Sequence, residues 1–348
     1  MNVQTGFFVL ECLTVKHDDS KTSFYQLNPD LVLAATEEAG FRPTGEFSQL
    51  NSYENRVFDI KLEPGQDQAR VIAKFYRPGR WNQQALQEEH DFLFDLDREG
   101  IPVVAPLLLK NKASLLEVSG MFVAFFPKCI GRMPDELLKN DLHQVGRRLA
   151  QIHNIGARRN FKHRAVVGEF PFTPEENLDF LSHWVAPELW PRYERACEQI
   201  IDFLNEELDS QSFIRIHGDC HRGNLLSRPM VNDLGNPHNE FFFVDFDDSA
   251  MGPEVQDFWM LLTGADGSEE SQTERDLILS GYEELREFPD QQWSLIPGLR
   301  GLRIFNYAAW IARRWEDPSF PRIFTEFNTY TYWAEETEAL ERIAWSFS

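Results

Sequence analysis

Hydrophobic and polar residues alternate along much of the segment between Phe47 and about Pro127. Two of the alternating runs end at Pro64-Gly65 and Pro78-Gly79, pairs that are typical of turns and strand ends. A helical spacing of leucines interrupts the strands over residues 82–98. We therefore expect an antiparallel sheet with a single helix packed on it. The predicted strands are 56–62, 69–76, 103–109, 113–118 and 121–126.

The spacing of apolar residues becomes helical after Pro127, which marks a second region of the chain. The predicted helices include 142–152, 200–208 and 299–315. Short strands are predicted at 213–216, around 225–226 and at 240–244. The polar stretch 229–239 is rich in Asn, Gly and Pro, which predicts a loop between the last two strands.

These patterns predict an α+β fold in which a small β-rich N-lobe with one main helix precedes a larger, mainly helical C-lobe. The predicted boundaries place the N-lobe at residues 25–127 and the C-lobe at residues 128–348. Residues 1–24 are left as an N-terminal extension of unknown role. A secretory signal is disfavoured there, because Glu11 interrupts the apolar run and no Lys or Arg precedes it.

Composition limits the partners that this chain is expected to bind. A net charge of -22 and a pI near 4.8 repel nucleic acid and anionic membrane surfaces, whereas a basic protein or a cationic small molecule is compatible with them. The four cysteines form no C-x-x-C pair, which is typical of reduced thiols. No apolar run reaches the roughly 20 residues of a membrane span. A cytoplasmic protein is therefore expected, and a monomer is assumed by default.

Two acidic motifs carry the candidate chemistry. The first runs from His217 to Asn224, and the second contains Asp245 at the end of a predicted strand. Asn224 offers a neutral carbonyl oxygen and Asp245 a charged one, which are donors suited to a divalent cation held against a polyphosphate. Asp219 lies five residues before Asn224 and remains available for a substrate. This spacing favours phosphoryl transfer.

Simpler interpretations of the first motif are a buried or helix-capping Asp219, or a metallohydrolase built on His217 and His221. No further pair of histidines at ligand spacing completes such a metal site. Hydrogen bonds that orient the loop are therefore the favoured role for both histidines. An aspartate is a weak base toward an alcohol, so Asp219 is expected to orient a hydroxyl and to take its proton late.

The chain resembles the aminoglycoside phosphotransferase and choline kinase superfamily, whose signature is His-Gly-Asp-x4-Asn followed by Val-Asp-x-Asp-Asp. More narrowly, several separated motifs look like the bacterial stress response kinase A family, and the likeness runs from about Tyr25 to the C-terminus. These motifs are Leu50–Val57, Lys74–Pro78, His217–His221, Gly252–Asp257 and Arg313–Pro318. The resemblance implies a two-lobed protein-kinase-like fold, the cofactors ATP and Mg²⁺, and phosphorylation of Ser or Thr in proteins during a stress response.

By this resemblance Asp219 is the catalytic aspartate, Asp245 is both catalytic and a metal ligand, and Asn224 is the second metal ligand. Lys74 is the expected clamp on the α and β phosphates, although a lysine there can also snorkel from a sheet edge. Its expected partner is Glu89 on the following helix. Glu88, one position earlier, is the alternative partner of Lys74. Whichever glutamate does not pair with the lysine is expected to be exposed to solvent.

The resemblance also implies nucleotide contacts in the N-lobe and in the connector between the lobes. No glycine lies between Gly45 and Gly65, so the loop departs from the glycine-rich loop of protein kinases, and Ser52 is expected to contact ATP there. An ordinary polar turn is the alternative. Phe126 and Lys128 match the connector beside the adenine, although phenylalanines in such a segment can equally belong to a core.

The segment that follows Asp245 bears on the substrate. Asp257 matches the aspartate that braces the catalytic loop in kinases, and Asp247 or Asp248 is either a ligand of a second Mg²⁺ or a solvated acid. Only eleven residues separate Asp245 from Asp257, so no phosphorylatable activation segment fits. The short loop favours a small molecule, such as an aminoglycoside, a choline-like compound or an amino alcohol, whereas the family favours a protein.

The expected function is therefore an ATP- and Mg²⁺-dependent kinase that acts on Ser or Thr of a protein. Two alternatives remain open at this stage. The first is a small-molecule kinase, and the second is a regulator that binds nucleotide without catalysing phosphoryl transfer. Retention of Lys74, Asp219, Asn224 and Asp245 argues against the regulator.

Overall fold

The computed structural model describes residues 24, 26–169, 171–231, 237–263 and 268–347. The predicted N-terminal extension therefore lies outside the described residues, except for Phe24. By its internal contacts the chain divides into two compact units. Unit 1 contains the described residues up to Asn82 together with Leu108–Phe125, and unit 2 contains Gln83–Leu107 and the chain from Phe126 onward. The predicted lobe boundaries stay predictions.

The described residues form strands and helices in the following order. The strands are β1 (Pro43–Leu50), β2 (Arg56–Leu62), β3 (Arg70–Phe75), β4 (Leu116–Val118), β5 (Met121–Pro127), β6 (Ile214–Ile216), β7 (Leu225–Val231), β8 (Pro237–Phe243) and β9 (Ala250–Gly252). The helices are α1 (Pro29–Glu38), α2 (Gln83–Arg98), α3 (Lys139–Gly156), α4 (Pro174–Leu181), α5 (Trp190–Leu208), α6 (Val255–Trp259), α7 (Glu269–Glu283), α8 (Ile296–Ala312), α9 (Phe320–Ile323) and α10 (Tyr330–Trp345).

Unit 1 is built on one five-stranded sheet in the order β1-β2-β3-β5-β4. The pairs β1–β2, β2–β3 and β4–β5 are antiparallel, as their alternating sequences predict. The aromatic rings of Phe58 and Phe75 meet edge-on at 5.9 Å in its core. Two elements of this unit, α1 and β1, were not predicted. Most residues of β1 are exposed on both faces, so its sequence carries no alternation of buried and exposed positions.

The contacts of α2 group it with unit 2 rather than with the sheet. Its buried residues Phe92, Leu93 and Leu96 belong to the same hydrophobic core as the helices of the C-terminal region. Phe92 lies edge-on to Phe161 and Phe246, at ring distances of 5.8 and 5.7 Å. Burial of such aromatic rings supplies much of the packing free energy of a core.

Unit 2 is mainly helical and places two short antiparallel ribbons at its candidate site. In one ribbon β6 pairs with β9, and in the other β7 pairs with β8. The helices α3 and α7 pack together, as do α5, α8 and α10. The β-rich region followed by a helical region confirms the predicted α+β fold class. No helix in the described part of the chain is long and apolar enough to cross a membrane.

Two details of the predicted secondary structure are wrong. Residues 103–109 do not form a strand, because prolines at positions 102 and 106 flank Val103, which makes only an isolated parallel bridge to Phe243. The predicted loop 229–239 is also too long, since β7 continues to Val231 and β8 begins at Pro237. Hydrogen bonds between the two strands stabilise polar residues whose composition is typical of a loop. The middle of that loop, residues 232–236, lies outside the described residues.

Candidate active site

The loop of residues 217–224, called the Asp219 loop below, leaves the end of β6 and is held in place by Asp257. The two carboxylate oxygens of Asp257 accept hydrogen bonds from the backbone N–H groups of His217 at 2.7 Å and Gly218 at 2.8 Å. Asp257 is completely buried, so these bonds are protected from water. The predicted brace between Asp257 and this loop is confirmed.

A histidine and a tyrosine hold Asp257 from behind. Nε2 of His153 lies 3.1 Å from Oδ2 of Asp257, and Nδ1 of His153 lies 2.9 Å from the hydroxyl of Tyr282. A carboxylate only accepts, so Nε2 donates to Asp257, while Nδ1 and the Tyr282 hydroxyl form the second hydrogen bond. Sequence reasoning missed both residues. The available signal was that His153 directly follows Ile152, the last apolar residue of the predicted helix 142–152.

Gly218 allows the Asp219 loop to lie against residues 244–249, called the Asp245 loop below. Its backbone has a φ of +86°, and a Cβ atom placed there would lie 2.0 Å from the carbonyl oxygen of Asp248. Real Cβ atoms do not approach an oxygen so closely. A side chain at this position would therefore push the two loops apart.

Two histidines orient the Asp219 loop by hydrogen bonds. Nδ1 of His217 accepts from the backbone N–H of Asp219 at 3.3 Å, and its Nε2 lies 2.9 Å from the carbonyl oxygen of Val244. A carbonyl oxygen only accepts, so Nε2 of His217 donates to it and this side chain joins the two loops. Nδ1 of His221 accepts from the N–H of Gly223 at 2.9 Å. The predicted orienting hydrogen bonds are confirmed.

Both oxygens of the Asp219 carboxylate face donor groups. Arg303 of α8 donates to Oδ1 at 2.7 Å, while Nε2 of His221 lies 3.4 Å and the amide of Asn224 lies 3.5 Å from Oδ2. Burial raises the pKa of Asp219, but the hydrogen bond from His221 and the charge of Arg303 outweigh it and leave that pKa well below its usual range. Asp219 is therefore an anion that accepts hydrogen bonds. Sequence reasoning missed Arg303.

The ribbon of β7 and β8 brings Asn224 and Asp245 to the same end. Leu225 pairs with Phe243, and the N–H of Val244 donates to the carbonyl oxygen of Asn224 at 3.0 Å. The amide nitrogen of Asn224 donates to the carbonyl oxygen of Asp219 at 2.9 Å, so the side-chain oxygen is its remaining group. Both side chains supply the hard oxygen donors that fit a Mg²⁺ ion.

Asp245 has a left-handed backbone conformation, with φ 62° and ψ 64°. This conformation costs a non-glycine residue on the order of 1 kcal/mol and is concentrated at functional sites. Asp247 is buried, with 3% of its surface exposed, so the prediction of a solvated loop acid is wrong for this residue. Asp248 is exposed. The packing of the loop therefore buries Asp247 and leaves Asp245 and Asp248 exposed.

Glu88 and Glu89 have different surroundings in unit 2. The carboxylate of Glu88 accepts from the N–H groups of Lys162 and His163, at 2.8 and 2.9 Å, so it is not merely solvated. Glu89 is buried, and its carboxylate lies 3.6 Å from the guanidinium of Arg164. The assignment of Glu89 as the partner of a phosphate-binding lysine stays a prediction.

Lys74 lies on β3, which is the central strand of the sheet in unit 1. Only 8% of its surface is exposed, and its ammonium group lies 4.9 Å from the ring centre of Tyr76. The alternative of a lysine that snorkels from a sheet edge is therefore wrong. A buried ammonium at the sheet centre is compatible with the predicted role, which stays a prediction.

Ser52 lies in the turn between β1 and β2, and Arg77 fixes the shape of that turn. The guanidinium of Arg77 donates to the carbonyl oxygens of Tyr53 at 3.2 Å and Glu54 at 3.1 Å. The side chain of Asn55 is buried and accepts from the N–H of Arg77 at 3.1 Å. The turn is thus held by specific bonds rather than by glycines. Arg77 was not identified from the sequence.

The connector residues differ in exposure. The chain passes from unit 1 to unit 2 between Phe125 and Phe126. Phe125 is fully buried and contacts Phe41 in the core of unit 1, at a ring distance of 5.3 Å. Phe126 is half-buried, and Lys128 is exposed. Phe125 therefore belongs to a core, and Phe126 packs against the core of unit 2. The assignment of Phe126 and Lys128 as nucleotide contacts stays a prediction.

Within unit 2 the structure brings Asp219, Asn224 and Asp245 together at two adjoining loops. The predicted residues Ser52 and Lys74 belong to unit 1. A group that contains Asp219, Asn224 and Asp245 can bind a divalent cation and accept a hydrogen bond from an alcohol. This combination is the chemistry of phosphoryl transfer.

Comparisons with known proteins agree with this chemistry. The model of the phosphotransferase enzyme family matches residues 46–292. Stress response kinase A of Escherichia coli K12 is 36% identical over 324 residues, which cover 92% of this chain and 93% of that protein. A Salmonella typhimurium LT2 relative named serine/threonine protein kinase RdoA is 34% identical over 323 residues, with the same coverage.

Solved structures show the same fold at lower identity. Amicoumacin kinase hAmiN, in complex with AMP-PNP, Ca²⁺ and Ami, superposes with a TM-score of 0.72 at 18% identity and covers 95% of this chain and 96% of its own. A microcompartment-associated aminopropanol kinase has a TM-score of 0.67 at 21% identity, with 91% and 98% covered. The two-lobed, kinase-like α+β fold is therefore confirmed. The chain belongs to the phosphotransferase enzyme family, in which it resembles stress response kinase A.

Proposed function

We propose that this kinase transfers the γ-phosphoryl group of ATP, with Mg²⁺, to Ser or Thr hydroxyls of proteins in a bacterial stress response. The observation that carries the proposal is the anionic Asp219 beside the end of the ribbon that holds Asn224 and Asp245. The names of the two bacterial relatives support the protein substrate and the stress response.

In this proposal Asp219 binds the acceptor hydroxyl. A carboxylate with a lowered pKa accepts a hydrogen bond well but removes a proton poorly. Its main contribution is therefore to align the oxygen of the acceptor with the phosphorus atom, and the proton moves to Asp219 late in the reaction. The bonds from Asp257 to His217 and Gly218 keep the loop rigid, which preserves this alignment.

Asn224 and Asp245 are the proposed ligands of Mg²⁺. The bound cation would neutralise the charge that develops on the phosphate oxygens. Asn224 is already oriented for this role, since its amide nitrogen is held by the backbone of Asp219. The predicted nucleotide contacts are Ser52, Lys74, Phe126 and Lys128, with Glu89 as the predicted partner of the lysine.

The second candidate is a small-molecule kinase that acts on an amino alcohol or a related compound. The eleven residues between Asp245 and Asp257 favour it, because they leave no room for an activation segment that binds a peptide. The amicoumacin and aminopropanol kinases have the same fold, which supports this candidate only at the level of fold.

Labelled Mg-ATP distinguishes the two candidates. The purified chain is incubated with a peptide library containing Ser and Thr, and separately with amino alcohols and aminoglycosides. We expect acid-stable label on Ser or Thr of peptides or of the kinase itself, lost in Asp219→Asn. Asp202→Asn, the same change at an exposed position of α5, is the control and should retain labelling. Transfer only to the small molecules would contradict the proposed protein substrate.

A further inference from the structure

The outward side of α8 carries arginines and aromatic residues on an otherwise acidic protein. Arg300, Arg303, Tyr307 and Trp310 of α8 recur at helical spacing, and Arg314 follows two residues after the helix. These five residues are called the α8 face below, and each of them is exposed or half-buried. The surrounding sequence, residues 291–315, contains no Asp or Glu. In a chain with 56 acidic and 34 basic residues, this segment differs from the rest by its lack of acidic side chains.

Arg303 connects this surface to the candidate catalytic residue. Its guanidinium donates to Oδ1 of Asp219 at 2.7 Å, and 41% of its side chain is exposed. An ion pair with such exposure contributes little net free energy, so Arg303 can exchange partners. A substrate hydroxyl that donates to Oδ1 of Asp219 would share this oxygen with Arg303 or displace Arg303 from it. An anionic group on the same substrate would then provide a new partner for Arg303.

The rest of the α8 face continues away from Asp219. The rings of Tyr307 and Trp310 stack at 5.4 Å with an angle of 11° between their planes. The guanidinium of Arg314 lies 5.0 Å from the ring centre of Trp310, and that of Arg300 lies 5.3 Å from the ring centre of Trp259. Arginine, tyrosine and tryptophan are the residues enriched at binding surfaces.

We propose that the α8 face binds the substrate segment that carries the acceptor Ser or Thr, and that this segment is acidic. The inference rests on the proposed protein substrate. The net charge of -22 by itself favours a basic partner. Beside Asp219, however, the substrate meets the charge of Arg303 at contact distance, and charges within a few ångströms outweigh screened distant ones.

The test uses three peptides that differ only in whether the residues flanking a single serine are Glu, Gln or Lys. The ratio of kcat/KM for the Glu peptide over the Gln peptide is measured with Mg-ATP for the wild-type protein and for Arg303→Gln. We expect a wild-type ratio of about 10 or more, and a fall to about 2 or less in the variant.

A matched control separates the local effect from general loss of charge. Arg275→Gln removes an arginine that is 45% exposed and bonded to one carboxylate, as Arg303 is, but lies on α7. This control should retain the wild-type ratio. Because a role of Arg303 in folding or in the chemical step would slow both peptides equally, the ratio reports only on recognition.

Three results would overturn the inference, each in a different way. Equal or higher kcat/KM for the Gln or Lys peptides would reject the acidic substrate and leave the protein kinase proposal standing. Failure to phosphorylate any peptide, with transfer to an amino alcohol in the same preparation, would reject both. An unchanged ratio in Arg303→Gln would assign the preference to another surface and would also contradict the inference.

Discussion

The guanidinium of Arg164 lies 3.6 Å from the carboxylate of Glu89, and both side chains are buried. The same guanidinium donates to the carbonyl oxygens of Ser249 at 2.5 Å, of Ala85 at 3.0 Å and of Asp247. One arginine therefore joins α2 to the Asp245 loop. In this way unit 2 carries the candidate metal loop and the helix with Glu89 as one packed structure.

Loss of Arg164 should destabilise the protein strongly. Arg164→Met would leave Glu89 and three carbonyl oxygens buried without this donor, which costs about 3–5 kcal/mol. Urea unfolding at neutral pH measures the change. The control Arg275→Met breaks an exposed pair and should cost about 1 kcal/mol or less. Similar losses in the two variants would contradict the proposed importance of the buried arginine.

Gly218→Ala should inactivate the enzyme through the position of the Asp219 loop. The added methyl group would lie 2.0 Å from the oxygen of Asp248, so the two loops must separate. A shift of about 1 Å at reacting groups can lower kcat by about 100-fold. Gly120→Ala is the control, because Gly120 also has a positive φ, +74°, but nothing lies within 4 Å of its added carbon. Equal activity of the two variants would show that the contact at Gly218 is unimportant.

Asp257→Asn should lower kcat without abolishing nucleotide binding. An asparagine can accept from only one of the two N–H groups that Asp257 holds, and its NH₂ group would oppose the other or His153. The loss of one buried charged hydrogen bond costs about 1–3 kcal/mol. Steady-state kinetics and titration with a nucleotide analogue measure the two effects. Wild-type kcat in this variant would contradict the claim that the hydrogen bonds to Asp257 hold the Asp219 loop in its active position.

The sequence predicts the parts of this site that lie next to each other along the chain. Asp219, Asn224 and Asp245 are recognisable because their motif places donors at strand ends. Arg303 and Arg164 were missed, since each reaches the site from another element, and neither carries a local pattern. Contacts between residues distant in sequence depend on helix packing, which periodicity does not specify.

The same contrast applies to the fold. Alternation identifies β2 and β3 because one face of each strand is buried, whereas β1 is exposed along most of its length. The helix α2 was predicted within one residue of its observed start, Gln83. Its association with unit 2 was not predicted, because an apolar helix face does not indicate which neighbour will cover it.

Glu336 should make stability depend on pH. The hydroxyl of Tyr193 donates to its carboxylate at 2.7 Å, and burial raises the pKa of Glu336 from its usual value near 4.5 to about 7. The folded state therefore keeps a proton that the unfolded state loses, so stability falls as the pH rises from about 4.5 to about 7.

Replacement of Glu336 by Gln tests this dependence. The free energy of unfolding of Glu336→Gln relative to wild type should increase by on the order of 2 kcal/mol between pH 5 and pH 8. Urea unfolding at the two pH values measures it. Glu341→Gln is the control, since the pKa of Glu341 is lowered by its hydrogen bond to Arg192. A difference between Glu336→Gln and wild type that is the same at both pH values would contradict the prediction.

The most direct test of the account is the initial rate of phosphoryl transfer as a function of Mg²⁺ concentration, measured for Asp219→Asn and Asp245→Asn. We predict that Asp219→Asn lowers kcat by about 1,000-fold or more with an unchanged Mg²⁺ requirement, because this residue is the proposed binding group for the acceptor. Asp245→Asn should raise the required Mg²⁺ concentration by about 10-fold or more, because it removes the proposed charged ligand. Wild-type kcat and Mg²⁺ dependence in both variants would contradict the account.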